Sequence, residues 1–342
     1  MNKRRLPDTA PCMPSAYLMV RPTPEGFGFN PETPDNHYAH AGDDPDVPTK
    51  ALAEFDDMVK LLEARDIPLL ITEDTPEPRT PDSIFPNNTF STHPDGTLVL
   101  YPMRAENRRA EADKLLPMLT TRFDIRRQID LRDYACNGQF LEGTGSIVYD
   151  HPNRVAFAAY SGRTDRQLFE ELCDELDYTA VGFHARDSRG RDIYHTNVMM
   201  SLGLGYAAIC LEAIDDADRN RVLSAALHTG RHDLVTLTQA QVRSFAGNVL
   251  QLYSRSGRPH TVMSQSAFAS LTDGERGYIS RHGKSLFDAD GNPIEKLDQS
   301  KEIIASRIRN IQEYGGGGAR CMIGEVHLRP LAAEKIPPAA NN

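Results

Sequence analysis

Cys321 follows four consecutive glycines in YGGGGARCMIGEV (314–326). The thiolate is the reactive form of cysteine, so a nucleophilic Cys needs a base or a cation beside it. Gly315 to Gly318 would let the backbone approach a ligand closely and adopt positive φ, which other residues resist. The same run also reads as a flexible linker ahead of a buried structural thiol, and both readings stand at this level. His195 lies between Tyr194 and Thr196 at the head of an apolar strand, as a structural histidine or as an acid/base. Glu142 stands in LEGTGS (141–146), at another strand entrance, as a solvated turn carboxylate or as a partner for an imidazole. Convergence of the three would equip one pocket for covalent nucleophilic catalysis with proton transfer. Cys12, Cys136, Cys173 and Cys210 have no comparable setting, and Cys173 and Cys210 read as core thiols.

Convergence depends on the elements behind these residues, and the sequence repeats itself. Four segments follow one plan of strand, tight turn, strand, amphipathic helix, strand. They open at Thr89, Thr144, Thr196 and Asn248, about 52–55 residues apart. The turns carry Asp95-Gly96, Pro152-Asn153, Gly203 to Gly205 and Gly257-Arg258-Pro259, which suit hairpins. Leu168, Leu172 and Leu176 form one helical stripe, whereas the fourth helical stretch (268–283) is broken in pattern. A fifth unit is split between the chain ends. AYLMVRP (16–22), a helix over 52–67 and PLLIT (68–72) supply most of it, and CMIGEVHLRP (321–330) supplies its missing strand. The pattern therefore predicts an α/β protein of five pseudo-equivalent units around an axis, their entrances meeting at one mouth. The competing arrangement is a two-domain α/β protein with a parallel sheet. The entrances read PDSIFPNNTF (81–90), LEGTGS, YHTNVMM (194–200) and AGNVLQL (246–252), and Asn87, Asn88, Asn197 and Asn248 recur at equivalent points.

Composition narrows the partners. The 342 residues carry 38 Lys+Arg against 48 Asp+Glu, a formal net charge of −10, which is the wrong sign for a nucleic-acid surface. Hydrophobic residues make up 39% and charged residues 25%, the balance of a soluble chain with a sizeable core. No run approaches the roughly 18–20 apolar residues of a membrane span. The basic start is interrupted by Pro7, Asp8, Pro11 and Pro14, so it does not read as a signal peptide. Five scattered cysteines without a CxxC pair exclude a disulfide framework and favour a reducing, cytoplasmic setting. His228 and His232 are i, i+4, but Thr229-Gly230 between them signals a helix end, so a zinc site is not expected. GLGYAA (203–208) lacks the setting of a dinucleotide fingerprint and reads as a hairpin. The expectation is no metal, no organic cofactor, no nucleic acid and no membrane, with homo-oligomerisation left open.

Taken together, GGGGARCM, LEGTGS, YHTN and PDSIFPNN resemble the guanidino-group-modifying superfamily of arginine deiminases, amidinotransferases and dihydrolases, and most closely the citrulline-utilisation hydrolases. The resemblance spans roughly Tyr17 to Pro330. It implies a five-bladed α/β propeller, the pentein fold, built of ββαβ-type units, with the whole chain (1–342) as a single catalytic domain. It further implies Cys321 as nucleophile, His195 as acid/base and Glu142 as the carboxylate that contacts substrate nitrogen and orients the histidine. Phe85 resembles the aromatic that flanks the substrate's aliphatic chain. Arg163, in SGRTD, matches an arginine that binds the substrate α-carboxylate, and Asp82 falls among the substrate-binding positions.

The departures from arginine deiminases bear on substrate. Those enzymes carry Asp at the positions of Asn88 and Asn197, where two carboxylates grip a guanidinium cation. Neutral amides both donate and accept, which suits a ureido group (C=O and NH2) better. Some arginine dihydrolases also carry Asn at such a position, so arginine is not excluded by this change alone. Gly145 stands where the deiminases often have Asp. The expected reaction is hydrolysis of the ureido group of L-citrulline to L-ornithine, ammonia and carbon dioxide. An arginine deiminase or dihydrolase is the alternative, and a non-catalytic propeller binding protein a more distant one.

Overall fold

The computed structural model describes residues 12–23, 26–42, 44–227, 233–281 and 302–331. The start of the chain before Cys12, together with His228 and His232, lies outside the described residues. Four hairpins form where the turn signals stand: Phe90–Thr92 with Thr97–Leu100, Ile147–Asp150 with Val155–Ala159, Met200–Gly203 with Tyr206–Ile209, and Leu250–Tyr253 with Pro259–Ser264. Gly96, Gly205 and Gly257 take φ of +93°, +83° and +79°, the left-handed conformations that tight turns demand. The second hairpin does without glycine, and Arg154 adopts φ +53° in its place.

The second strand of each hairpin pairs in parallel with a third strand: Arg127–Asp130, Thr179–Phe183, Asp233–Thr236 and Ile303–Ser306. A parallel return needs a crossover, and helices Glu111–Arg122, Arg166–Leu176 and Asp216–Leu227 provide the first three. Arg166–Leu176 buries Leu168, Phe169, Leu172, Cys173 and Leu176 as one stripe, and the Asp165 carboxylate caps it by accepting from Leu168 N. The broken fourth stretch forms two short helices, Gln265–Ser270 and Asp273–Ser280, capped by Ser264 and Thr272.

The unit split between the chain ends has the same topology. Ala16–Arg21 pairs in parallel with Leu69–Glu73 across helix Val47–Glu63, and antiparallel with Gly324–Val326, Ala16 facing Val326. The strand after Cys321 thus takes the place that a hairpin's first strand holds in the other units. All five three-stranded sheets are mixed, so the described residues form no all-parallel sheet. Met200–Gly203 lies against both Ile147–Asp150 and Leu250–Tyr253, and Gly324–Val326 against Phe90–Thr92, so neighbouring first strands lie side by side.

The entrances differ from expectation in one respect. Glu142 and His195 do not begin strands; each immediately precedes a single helical turn, Gly143–Ser146 and Thr196–Met199, and the strand follows. Pro86–Asn88 makes the corresponding 3-10 turn. These turns nest tightly. Gly143, at φ +47°, is so close to the first entrance that a Cβ would lie 2.4 Å from the Asn87 carbonyl oxygen. Close packing of the turns draws the entrances of separate units into one volume.

Candidate active site

The eight side chains singled out from the sequence, Cys321, His195, Glu142, Asn88, Asn197, Phe85, Arg163 and Asp82, are all buried, none more than 4% exposed. The glycine run is no slack linker. Gly315 and Gly317 pack on the Phe85 ring so closely that a Cβ at either would sit 2.8 or 2.6 Å from ring carbons, and Gly316 takes φ +66°. Phe85 and the segment leading to Cys321 are thereby clamped together. Gly145 has a similar reason to be bare, because a Cβ there would lie 2.4 Å from Asn88 Nδ2 and 2.8 Å from His195 Nδ1. An aspartate at this position has no room.

His195 Nε2 and Glu142 Oε2 are 2.8 Å apart. Glu142 also accepts from the Arg104 backbone N–H (3.0 Å) and from Arg163 Nη1 (3.4 Å). Burial alone would push its carboxyl up, but the Arg163 guanidinium and the His195 bond outweigh this and hold it well below the usual carboxylate range. Burial draws His195 below its ordinary value, with Glu142 opposing the shift. Around the thiol, Asn248 Nδ2 lies 3.2 Å and Asn197 Nδ2 3.7 Å from Cys321 Sγ. Burial pushes the thiol up, and the Asn248 contact offsets part of that. The neutral thiol and neutral imidazole are therefore favoured.

Arg163 meets carboxylates of the chain itself. Its fork is already filled: Nη2 and Nε donate to Asp35 at 2.7 and 2.9 Å, and Nη1 faces Glu142. Buried charge demands compensation from within the chain, and Asp35, in a loop remote in sequence, provides it.

Several site residues were not foreseen. Asn248 was legible as a recurrent entrance residue but not as a partner of the thiol. Arg108 and Glu111, both 2% exposed, form a two-point ion pair at 2.8 and 2.9 Å beneath the first entrance turn. Arg108 Nη1 also donates to Asn88 Oδ1 (3.0 Å), and Nη2 to the Phe85 carbonyl (3.3 Å). Asn30 Nδ2 donates to Asp82 Oδ2 (2.7 Å). The i, i+3 spacing of Arg108 and Glu111 was the available signal, but it resembles an ordinary surface pair on an amphipathic helix.

These contacts decide which way the two amides face. Arg108 takes the oxygen of Asn88 and leaves its Nδ2 as a buried donor without a partner. Asn197 directs Nδ2 to the thiol and leaves Oδ1 as a buried acceptor without a partner. Asp82 Oδ1 is a further unpartnered acceptor. Unmade hydrogen bonds of buried groups each cost about 1–3 kcal/mol, so these atoms are primed for a polar ligand. Among the described residues no group of three or more His, Cys, Asp or Glu is arranged to hold a metal ion. Nor is any helix there long and apolar enough to cross a membrane.

No curated protein matches the chain. Solved structures match in fold. The N-terminal domain of ArgZ, an arginine dihydrolase from cyanobacteria, in a substrate-bound cysteine-to-serine mutant, superposes with a TM-score of 0.64 at 16% identity, covering 91% of this chain and 97% of that one. AgrE, as a cysteine-to-alanine mutant with L-arginine, gives 0.65 at 17% identity, over 93% of this chain and 41% of AgrE. A dimethylarginine dimethylaminohydrolase (DDAH) from Pseudomonas aeruginosa, as a cysteine-to-serine mutant complexed with citrulline, gives 0.62 at 12% identity, over 92% and 99%. A family model described as N,N dimethylarginine dimethylhydrolase, eukaryotic, matches residues 23–297 and 289–328. The chain belongs to this family of the guanidino-group-modifying pentein superfamily, and it is a hydrolase acting on non-peptide C–N bonds.

Proposed function

We propose that the protein hydrolyses the terminal ureido group of L-citrulline, R–NH–CO–NH2 + H2O giving R–NH2 (L-ornithine), NH3 and CO2. The observation that carries this reading is the split between the two amides. Asn88 offers a lone N–H donor and Asn197 a lone acceptor, which pair with the C=O and the NH2 of a ureido group. A guanidinium presents N–H donors only, so the Asn88 donor would face another donor and stay unsatisfied.

His195 takes the Cys321 proton as the thiolate attacks the ureido carbon and an S–C bond forms. The resulting imidazolium, held by Glu142, protonates the departing nitrogen as the C–N bond breaks. The neutral imidazole then activates water, which attacks the S-linked carbonyl as the S–C bond breaks, releasing the thiol and a carbamate whose remaining C–N bond breaks to give the second nitrogen product and CO2. Asn88 Nδ2 is placed to bear the developing charge on the carbonyl oxygen. Phe85 lines the aliphatic chain, and Asp82 Oδ1 accepts an N–H from substrate. The five units are read as blades of a closed propeller, the whole chain as one catalytic domain, and the setting as cytoplasmic.

An arginine dihydrolase is the second reading. Asp82 Oδ1, a buried and unpartnered carboxylate oxygen, favours it because it could offset a guanidinium charge. Burial pushes the Asp82 carboxyl up, however, and this weakens that service. Mass-spectrometric product analysis with L-citrulline and L-arginine offered separately tests the choice. Ornithine from citrulline, with arginine little changed, is expected. Citrulline accumulating from arginine would make the enzyme a deiminase.

A further inference from the structure

Loop 26–42 is fastened over the site at three places by reversible polar contacts. Asn30 Nδ2 donates to Asp82 Oδ2 (2.7 Å), Asn36 Nδ2 to the Gly315 carbonyl (3.1 Å) and His40 N to the Glu313 carbonyl (2.7 Å). Between these anchors Asp35 turns inward. Its Oδ1 accepts from Arg163 Nη2 (2.7 Å), and its Oδ2 accepts from Arg163 Nε (2.9 Å) and from Arg104 Nη1 (2.7 Å). A forked pair completed by a second guanidinium is how proteins hold a carboxylate ligand. Here the ligand is part of the chain itself. Burial works against the charged form of Asp35, yet Arg163 and Arg104 prevail and keep it ionised.

Charge counting limits what else can bind there. Arg104 and Arg163 contribute two positive charges, which Asp35 and Glu142 cancel. Another carboxylate in the same cluster would leave it with an uncompensated negative charge in a largely buried setting. Besides Glu142, the two arginines therefore accommodate one carboxylate, that of Asp35 or that of a ligand.

We propose that Asp35 is a plug that sets head-group specificity: it fills the Arg163–Arg104 subsite in the unliganded enzyme and is exchanged for the carboxylate of an amino-acid substrate. The proposal rests on the amino-acid reading of the substrate given above. Carboxylated ligands must expel the plug, whereas decarboxylated analogues bind without disturbing it. If nine molecules in ten are plugged, a carboxylated ligand binds about tenfold more weakly than it would to the open form.

Calorimetric titration of the full chain with L-ornithine and with 1,4-diaminobutane, its decarboxylated counterpart, separates the two cases. Asp35→Ala should tighten L-ornithine by about tenfold and leave 1,4-diaminobutane within about twofold of wild type. Asp35→Asn, of the same shape but without the charge, should change the two ligands in the same order to a lesser extent, which guards against an effect of loop collapse. L-ornithine binding that is unchanged or weakened in both variants overturns the plug. Ornithine binding needs no turnover, so failure of the wild type to consume citrulline or arginine would defeat the functional reading while leaving this comparison intact.

Discussion

Cys321 and His327 flank one short strand, Gly324–Val326; Asn88 and His93 flank Phe90–Thr92; Glu142 and His151 flank Ile147–Asp150. Both ends of these strands bury polar side chains, but the two ends are wired differently. At the entrance end, ion pairs hold residues in place and leave Asn88 Nδ2, Asn197 Oδ1 and Asp82 Oδ1 without partners. At the far end, imidazoles and phenols link to one another. Ser91 Oγ lies 2.9 Å from His93 Nε2 and 2.7 Å from the Tyr101 hydroxyl, and the His151 Nδ1 to Tyr178 hydroxyl distance is 2.7 Å. The rings of His151 and His327 lie 4.3 Å apart, and those of Tyr149 and His151 stack at 5.4 Å. Burial keeps all three of these histidines neutral, drawing His93 down to about 3. Equivalent positions of a repeat have thus become a cluster of charged and amide groups around a thiol at one end and a group of neutral imidazoles and phenols at the other. Both ends leave buried polar atoms without partners, His93 Nδ1 and both ring nitrogens of His327 among them; what distinguishes the entrance end is the ion-paired Glu142 and Arg163 beside the thiol.

The sharpest break in that comparison is chemical. Cys321→Ser should lower kcat by at least about 10⁴-fold with the circular dichroism spectrum and melting curve intact. His151→Phe, at the far end, should leave kcat near wild type and destabilise the fold by about 1–3 kcal/mol through the stranded Tyr178 hydroxyl. If His151→Phe stops turnover without unfolding the protein, the two ends are not functionally distinct.

Next in size is the charge at the entrance. Arg108→Met leaves Glu111 without its partner in a buried setting where its carboxyl already sits near 7. Denaturant unfolding should show a loss of about 3–5 kcal/mol. Activity should fall as well, because Asn88 loses the contact that orients it. A loss below 1 kcal/mol would show that the pair is not buried in the way described.

The smallest effect per group is the pH response of the far end. The unfolded histidines take up protons near pH 6.5, whereas the folded ones resist protonation until well below that. Their contribution to stability is therefore complete above pH 6.5 and is lost as the pH falls from there toward the folded values. Each histidine can remove up to about 1.4 kcal/mol per pH unit in that window. Urea midpoints at pH 7.5 and 5.5 measure the slope, and His93→Phe should reduce it. An unchanged slope in that variant would mean that His93 is not the buried neutral group described here.

Much of this was legible from spacing alone. The recurrence of Thr89, Thr144, Thr196 and Asn248 located the entrances, and the strand after Cys321 was foreseen as the partner of the first strand. Tight turns and helix stripes are local physics, so sequence reports them well. What escaped notice was the wiring between distant segments. Asp35 lies in NPETPDN, a loop without periodicity, 128 residues from the guanidinium it meets. Arg108 belongs to a 3-10 turn, Glu106–Arg108, ahead of the helix Glu111–Arg122, so its spacing to Glu111 is not that of one regular helix. The opposed orientation of Asn88 and Asn197 depends on those partners and could not be inferred before them.

The central claim is that this opposed pair of amides selects a ureido group over a guanidinium. The most direct test compares kcat/KM for L-citrulline and L-arginine in the wild type and in the Asn88→Asp, Asn197→Asp double variant. The wild type should favour citrulline, and the double variant should shift the citrulline-to-arginine ratio by about a hundredfold toward arginine. A wild type that prefers arginine, or a double variant whose ratio does not move, would contradict the account.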